Sequence, residues 1–337
     1  MDWFERLTGF REGPYAETRA QLKVDGDRLH SLVNGKSYAI GQLELVSLET
    51  LRERARTVSG PFGQLIASVV TGDVRQMHRL PENAGALFQV ASQFNALEMT
   101  GPSLTPEDGV TRYETDRTQG PACAIAAGAA TIYRNYFAPV ADGVGQTAER
   151  QIDGLAAIGG ALSKALNKPV TDLWQMRNGY ALCERAGLET ISKHLASLSQ
   201  EEVEALRGKL AIAVHSDVEV TDGAGAPGSL VSQAFCSALP IAYANVPSRN
   251  WRRFATLILE AAYEATMWAA VANARRGASN VVLLTLLGGG AFGNDQSWIL
   301  EAMRRALAVV SSFEIDARIV SCGEPSAALR EVVEAFR

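Results

Sequence analysis

Short apolar runs alternate with segments of helical periodicity along most of this chain, and this alternation restricts the folds it can adopt. Four runs are apolar at most positions rather than at every second one: Leu65–Val70, Leu87–Phe94, Gln233–Tyr243 and Val281–Leu287. Strands of this kind are buried on both faces. Helical spacing of apolar residues lies between them, for example from Trp251 to Ala269. The order predicts an α/β fold whose sheet is covered by helices on both faces, a three-layer arrangement.

Two regions differ from this pattern. Residues 1–60 predict an N-terminal extension with a β-hairpin, because Asn34 and Gly35 tolerate positive φ and separate two strand-like runs. The rest, 61–337, is predicted to be one domain. Within it, residues from about 138 to 222 predict a mainly helical insertion or lid, whose helix signals include a capping box of Ser199 and Glu202.

Composition excludes several classes of protein. The chain has 337 residues and a formal net charge of -5, which argues against a general nucleic-acid surface or a surface for anionic membranes. A local basic cleft could still hold a phosphate. No apolar run reaches the ~18 residues of a membrane span. The four cysteines form no CxxC pair, and the four histidines share no metal-ligand spacing. We therefore expect a cytoplasmic protein with free thiols, no metal site and no cofactor.

A glycine-rich loop follows the last of the four apolar runs and precedes a helix that begins near Gln296. The loop consists of Gly288, Gly289, Gly290, Ala291, Phe292, Gly293 and Asn294. Glycines let backbone N–H groups approach a ligand closely, and a helix N-terminus adds positive potential. A phosphate or pyrophosphate is therefore the expected ligand. A tight turn is the alternative, since the loop lacks both the Lys-Ser/Thr ending of a P-loop and GxGxxG spacing.

Candidate ligand residues follow several predicted strands directly. Asp73, Asn95 and Gly288 each lie just after a strand, and ligands in α/β sheets collect at the carboxyl ends of strands. Gln119 begins another helix, whose N-terminus would suit the same anion. As alternatives, Asp73 would cap a helix, Asn95 would cap a turn and Phe292 would pack beneath the loop.

The order of these segments resembles that of the macrodomain family, whose members bind ADP-ribose. The resemblance covers about 64–137 and 230–323, and it implies a mixed sheet. It also implies that Asp73, beside Val74, accepts a hydrogen bond from the adenine amino group, and that Asn95 touches the distal ribose. The loop from Gly288 to Asn294 would wrap the diphosphate, with Phe292 near the distal ribose. Two features depart from the family pattern: its glycine run after the asparagine is replaced by residues 98–109, and the insertion has no place in a minimal macrodomain.

The polar segment after Asn95 supplies the candidates for catalysis. Cleavage of a glycosidic bond at the distal ribose passes through an oxocarbenium-like state and needs a carboxylate to activate water or to stabilise positive charge. Asn95, Glu98, Asp108 and Glu114 are the predicted catalytic residues, although each acid could instead be a surface or ion-paired residue. We expect a protein that binds ADP-ribose or an ADP-ribosylated substrate and hydrolyses an ADP-ribosyl linkage. The alternatives are a non-catalytic reader of ADP-ribose or nucleotides, and an interaction protein with the same fold.

Overall fold

The computed structural model describes residues 1–56, 62–223 and 228–337. Its helices are α1 (Trp3–Thr8), α2 (Tyr15–Ala20), α3 (Leu48–Arg56), α4 (Val74–Met77), α5 (Gln119–Ala126), α6 (Gly128–Tyr136), α7 (Ala156–Leu166), α8 (Arg185–Ser197), α9 (Gln200–Gly208), α10 (Ser248–Arg275), α11 (Gln296–Val309) and α12 (Ala327–Glu334). Its strands are β1 (Leu22–Asp25), β2 (Arg28–Ser31), β3 (Ser37–Ala39), β4 (Gln42–Ser47), β5 (Ile66–Thr71), β6 (Leu87–Ala91), β7 (Pro139–Val140), β8 (Gly143–Val144), β9 (Gln175–Arg177), β10 (Tyr180–Leu182), β11 (Ala211–Glu219), β12 (Leu230–Cys236), β13 (Val281–Leu284) and β14 (Asp316–Ser321).

Seven strands form the central sheet, in the order β4-β11-β12-β6-β13-β14-β5. Five adjacent strands, β12, β6, β13, β14 and β5, are parallel to one another. Strand β11 is antiparallel to both β4 and β12. The predicted α/β fold with a mixed sheet is confirmed. Because five adjacent strands are parallel, their carboxyl ends meet at one end of the sheet.

Successive residues of the central strands face different helical layers. On β6, Leu87 packs into the core that contains α10 and α11, whereas Phe88 and Val90 pack on the opposite face with residues such as Cys123 of α5. A strand with no solvated face needs apolar residues at successive positions, which explains the continuous apolar runs in the sequence. The helices therefore cover both faces of the sheet, as predicted.

Several predicted elements are longer than the observed ones. Strand β6 ends at Ala91 rather than Phe94, and β13 ends at Leu284 rather than Leu287. The apolar residues continue because Phe94 and Leu287 are buried under neighbouring segments after the strands have ended. Burial produces apolar sequence whether or not the backbone is extended, so these strand ends cannot be read from hydrophobicity.

The central sheet includes strands from both regions that the sequence set apart. Strand β4 lies within 1–60, and β11 lies within 138–222, and the two pair from Ala211 with Ser47 to Ser216 with Gln42. The predicted boundaries therefore run through the sheet, and the junction at 60–61 lies outside the described residues. The predicted hairpin is present as β2 and β3, and the predicted helices around 188–208 are present as α8 and α9, with the Ser199 and Glu202 capping box.

No helix in the described ranges combines the length and the apolar character needed to cross a bilayer. In the same ranges, no group of three or more His, Cys, Asp or Glu side chains is placed to hold a metal ion.

Candidate functional site

A cavity of about 140 Å³ lies at the carboxyl ends of β6, β12 and β13. Its walls include the segments at the ends of these strands: 91–93 at the end of β6, Ala238 after β12, and 285–288 with 290–292 after β13. Residues 98–100, Asp116, Thr118, the start of α5, Tyr180 and Tyr243 complete the lining. The cavity thus has the position that the sequence predicted for a ligand in an α/β sheet.

Glu98 contributes a buried carboxyl group to this cavity. Its side chain has no solvent exposure, and neither carboxyl oxygen has a hydrogen-bond partner among the described residues. The nearest cation is Arg134 of α6, whose Nη2 lies 3.6 Å from Oε2 of Glu98. Burial raises the pKa of Glu98 to about 7, against the attraction of Arg134. A carboxyl group with free oxygens and a pKa near neutrality can donate or accept a proton at pH 7.

The loop between β6 and α5 holds Glu98 in place through main-chain contacts. The Glu98 N–H donates to the Tyr113 hydroxyl at 3.1 Å, and the neighbouring Met99 N–H donates to Oε1 of Gln93 at 2.7 Å. At Gly120 a Cβ atom would lie 1.9 Å from the Ala91 carbonyl oxygen and 3.1 Å from Cγ of Glu98. Only glycine lets the first turn of α5 approach β6 and Glu98 so closely.

Gln119 ties α5 to the end of β6. Its Oε1 accepts from the Ala91 N–H at 2.8 Å, and its Nε2 donates to the Gln89 carbonyl at 2.8 Å. The side-chain amide therefore makes hydrogen bonds with the backbone of β6 that a neighbouring strand would otherwise make. The main-chain N–H groups of Gln119 and Gly120 have no acceptor within the described part of the chain. As the first N–H groups of a helix, they are available to an anion in the cavity.

The glycine loop presents further unpaired donors. The N–H groups of Gly290, Ala291 and Phe292 have no acceptor within 1–56, 62–223 and 228–337. Gly288 has φ +74°, and a Cβ atom there would lie 2.4 Å from Cβ of Ala238, so this turn requires glycine. A Cβ atom at Gly290 would meet nothing within 4 Å. Successive free N–H groups form an anion-binding concavity.

Asn294 and two glycines maintain the shape of the loop without lining the cavity. The Asn294 N–H donates to the Gly288 carbonyl at 2.9 Å, and its Nδ2 donates to the Leu239 carbonyl at 2.9 Å. The N–H groups of Gly289 and Gly293 donate to carbonyls of Leu286 and Gly290. These contacts leave the middle of the loop free to bind a ligand.

Three aromatic rings stand at one side of the cavity. The centroids of Tyr180 and Tyr243 are 5.3 Å apart, and Phe292 lies 5.4 Å from Tyr180 and 5.7 Å from Tyr243. The Tyr180 hydroxyl donates to the Met99 carbonyl at 2.7 Å, which anchors its ring beside Glu98. The rings provide an apolar surface for a sugar or base next to the charged groups.

The other predicted ligand residues lie away from this cavity. Asp73 is exposed and caps α4 by accepting from the Arg75 N–H at 2.9 Å, and Val74 is buried in the core. Asn95 is buried; its Nδ2 donates to Oε1 of Gln151 at 2.9 Å, and its Oδ1 accepts from the Leu97 N–H at 3.1 Å. These contacts match the capping alternatives, and the adenine and ribose roles of these residues stay predictions.

Two of the predicted catalytic acids also lie outside the lining. Asp108 accepts from the Thr105 N–H at 2.8 Å in a capping box, and a carboxyl oxygen of Glu114 lies 3.9 Å from Nη2 of Arg6. Both side chains are about two-fifths exposed, at 40% and 41%. Glu98 is the predicted catalytic acid that lines the cavity.

Some lining residues were not predicted. Asp116 belongs to a polar segment whose many charged residues look alike in sequence, and Tyr180 lies in the region assigned to an insertion. The Asn178-Gly179 turn could have located Tyr180, because it closes the hairpin of β9 and β10. Tyr243 follows β12 in a short 3-10 turn that resembled a continuing strand.

Comparison with known proteins finds similarity in structure. No protein-family model matches the chain, and no curated protein sequence does. A poly(ADP-ribose) glycohydrolase from Deinococcus radiodurans, solved with ADP-ribose, is 14% identical with a TM-score of 0.47, over 88% of this chain and 95% of that one. The enzyme from Thermomonospora curvata is 12% identical with a TM-score of 0.44, over 92% and 94% of the two chains.

Proposed function

We propose that this protein binds ADP-ribose or an ADP-ribosylated substrate and hydrolyses an ADP-ribosyl linkage at the distal ribose. The observation that carries the proposal is Glu98, a buried carboxyl group that has no hydrogen-bond partner among the described residues and whose pKa is raised to about 7. It lines the same cavity as the glycine loop. A buried acid whose oxygens accept no hydrogen bond is expected where it performs chemistry rather than where it stabilises the fold.

The free donors position the ligand's phosphates. The N–H groups of Gly290, Ala291 and Phe292 would bind the diphosphate from one side, and those of Gln119 and Gly120 from the other. A cavity of about 140 Å³ is smaller than the ~300–1,000 Å³ pockets that enclose a whole ligand of this size. We therefore place the distal ribose in the cavity and the rest of the ligand along the loop and the aromatic rings.

Glu98 would then act at the anomeric carbon. Its carboxylate takes a proton from a water molecule whose oxygen bonds to that carbon, while the glycosidic bond breaks and its electron pair leaves with the departing group. The departing group then takes up a proton from the protonated Glu98 or from solvent. Arg134 lies 3.6 Å from Glu98 and keeps a fraction of the carboxyl group ionised at neutral pH.

Two alternatives remain from the sequence. A reader module would bind ADP-ribose by the same donors without turnover, and an interaction protein would have a blocked cavity. The cavity lining includes polar side chains, among them Glu98, Asp116 and Gln119, beside its apolar residues, which favours a polar ligand. We also propose a cytoplasmic location, in keeping with cysteines that are free thiols.

Calorimetric titration with ADP-ribose tests the binding site. Gly290→Glu places a negative charge beside the loop donors at a position where a Cβ atom has open space, and Gly290→Gln is its neutral, equally large control. We expect micromolar binding by the parent protein, weakening of at least about tenfold in Gly290→Glu, and a much smaller loss in Gly290→Gln. Absence of binding by the parent protein, or equal losses in the two variants, would overturn the assignment of the loop as a diphosphate site.

A further inference from the structure

A second cavity, of about 510 Å³, lies along the first three turns of α10 and is lined by four arginines. We call it the arginine groove. It is bounded by α8, α9 and α10, and its residues are Leu195, Val203, Arg207, Arg249, Arg252, Arg253, Thr256, Leu257 and Glu260. Arginines at a helix start can cover apolar surface with their aliphatic stems while their charged ends stay in water. The exposure of Arg252 and Arg253 in a concave surface calls for a different explanation.

Three of the four arginines differ from the fourth, because they form no ion pair with a described residue. Arg249, Arg252 and Arg253 are exposed, and none makes a hydrogen bond or an ion pair within the described part of the chain. They follow one another at helical spacing on one face near the N-terminus of α10. Cations repel each other there and oppose the positive end of the helix dipole. Their arrangement therefore costs stability, which an anionic ligand would offset.

The fourth arginine shows that the groove is more than an exposed surface. Arg207 is only 7% exposed, and it forms ion pairs with Glu204 and Glu260, yet its buried Nε has no hydrogen-bond partner. Farther along α10, Glu264 forms ion pairs with Arg52 and Arg305. Cations deeper along the helix thus form ion pairs, whereas those at its beginning form none within the described ranges.

The groove begins close to the proposed active site. Hydrogen bonds from Ser297 lower the pKa of Asp295, and the positive charge of Arg252 lowers it further. Asp295 directly follows the glycine loop. Tyr243 lines the cavity and lies five residues before α10 begins at Ser248, so the cavity and the beginning of the groove lie at the same end of the sheet. A chain-like anion joined to the distal ribose in the cavity would leave it at this end of the sheet.

We propose that the arginine groove binds the phosphate chain of a nucleic-acid carrier of the ADP-ribosyl group. This rests on the proposed function, since the carrier is joined to the anomeric carbon of the distal ribose in the cavity and its phosphates extend outward from that linkage. Arg249 and Arg253 are four residues apart, about 6 Å along the axis of α10, and can reach successive phosphates. Guanidinium groups bind phosphate oxygens in pairs, and no lysine lines the groove.

Binding of a labelled single-stranded oligothymidylate of roughly a dozen nucleotides tests the proposal, measured by anisotropy over a range of salt concentrations. The test variant is the triple substitution Arg249→Gln, Arg252→Gln and Arg253→Gln. The control, Lys164→Gln, Lys168→Gln and Arg304→Gln, removes the same charge from exposed positions outside the groove. We expect the test variant to bind at least about tenfold more weakly, and its salt-dependence slope to fall by about 2, since each single-strand phosphate contact contributes ~0.7.

Three results would overturn the proposal: no binding by the parent protein, equal weakening in both triple variants, or tighter binding of an oligoglutamate peptide than of the oligonucleotide. The ADP-ribose affinity of the test variant separates this proposal from the proposed function. We expect this affinity to stay within about twofold of the parent's, because the groove residues do not line the cavity. If ADP-ribose fails to bind the parent while the oligonucleotide binds in the groove, the loop assignment fails and the groove stands as an independent phosphate site.

Discussion

At the scale of single residues, the unusual feature of this molecule is a carboxyl group that burial makes expensive to ionise. Glu98 has Arg134 at 3.6 Å, but the pair is not closed by a direct hydrogen bond to either carboxyl oxygen. A fully satisfied ion pair would hold the pKa of Glu98 below its ordinary value, whereas here burial raises it to about 7. The residue is thus suited to proton transfer and poorly suited to stabilising the fold.

Glu98→Gln should abolish turnover and retain binding. The amide keeps the volume of the side chain and cannot transfer the proton, so we expect turnover of an ADP-ribosylated substrate to fall by about 10²–10⁴-fold. Calorimetric affinity for ADP-ribose should change less than about threefold. Glu201→Gln on α9 serves as a surface control. Loss of turnover in Asp108→Asn or Glu114→Gln with full activity in Glu98→Gln would move the catalytic role to those acids.

Glu98 also predicts a pH dependence of stability. Because its native pKa is about 7 and its ordinary value is 4.5, the native state binds this proton more tightly than the unfolded state does. The stabilisation is full below about pH 4.5 and is lost as the pH rises through 7, a change on the order of 3 kcal/mol. Urea unfolding at pH 5 and pH 8 should therefore show Glu98→Gln gaining stability relative to the parent at the higher pH.

Taking the difference in stability between the parent and Glu98→Gln removes the opposing pH dependence that His78 contributes. Burial lowers the pKa of His78 to about 4, so the stability it contributes is present above pH 6.5 and lost as the pH falls through 4. Since both proteins contain His78, its effect cancels in the difference. A parent-minus-variant difference that stays flat from pH 5 to pH 8 would contradict the raised pKa of Glu98.

At the scale of elements, the glycine loop divides into positions that hold its shape and positions that face the ligand. Gly288 has φ +74° and close contact with Ala238, whereas Gly290 has open space around it. We expect Gly288→Ala to lower the free energy of unfolding by about 2–4 kcal/mol, from backbone strain and steric overlap. Gly290→Ala should change it by less than about 1 kcal/mol. Urea midpoints measure both, and equal effects would contradict this division.

The element scale also shows what the sequence could predict. The apolar runs and the strand-loop-helix order located the glycine loop and the start of α5, because these signals depend on neighbouring residues. Glu98 was one of several candidate acids in the polar segment after β6, and its burial in the cavity distinguishes it from Asp108 and Glu114. Asp73 and Asn95 carry the same residue types and also follow strands, but local capping occupies their side chains. Whether an aspartate caps a helix or faces a ligand depends on the direction of its side chain, which spacing does not encode.

At the scale of the whole molecule, an ion-pair network joins distant parts of the chain. Glu264 of α10 is 2% exposed and forms ion pairs with Arg52 of α3 and Arg305 of α11, and both arginines also pair with Glu204. Hydrogen bonds from Arg52 and Arg305 outweigh burial and lower the pKa of Glu264. The network fixes α3, which follows β4, to the helical layer over the sheet.

Glu264→Gln should destabilise the protein, because it leaves two arginines without their buried partner. We expect a loss of about 2–3 kcal/mol in the free energy of unfolding, less than for a fully enclosed pair since both arginines are partly exposed. Glu53→Gln, at an exposed position of α3, is the matched control and should be near neutral. Denaturant unfolding followed by circular dichroism measures both, and a Glu264→Gln protein as stable as the control would show the network to be dispensable.

The pairing of β4 with β11 has a consequence for any shortened form of the protein. A fragment that starts near residue 61 would keep the cavity residues. It would lose β4, so the edge of β11 that faces β4 would be unpaired from Ala211 to Ser216. Strand β4 is an edge strand with exposed residues, including Gln42 and Glu44, whereas β11 is mostly buried. An open edge of mostly apolar, formerly buried residues is a template for β-sheet pairing with another molecule. We expect such a fragment to self-associate through that edge. In the intact chain, residues 1–56 therefore protect the protein from aggregation by covering the edge of β11.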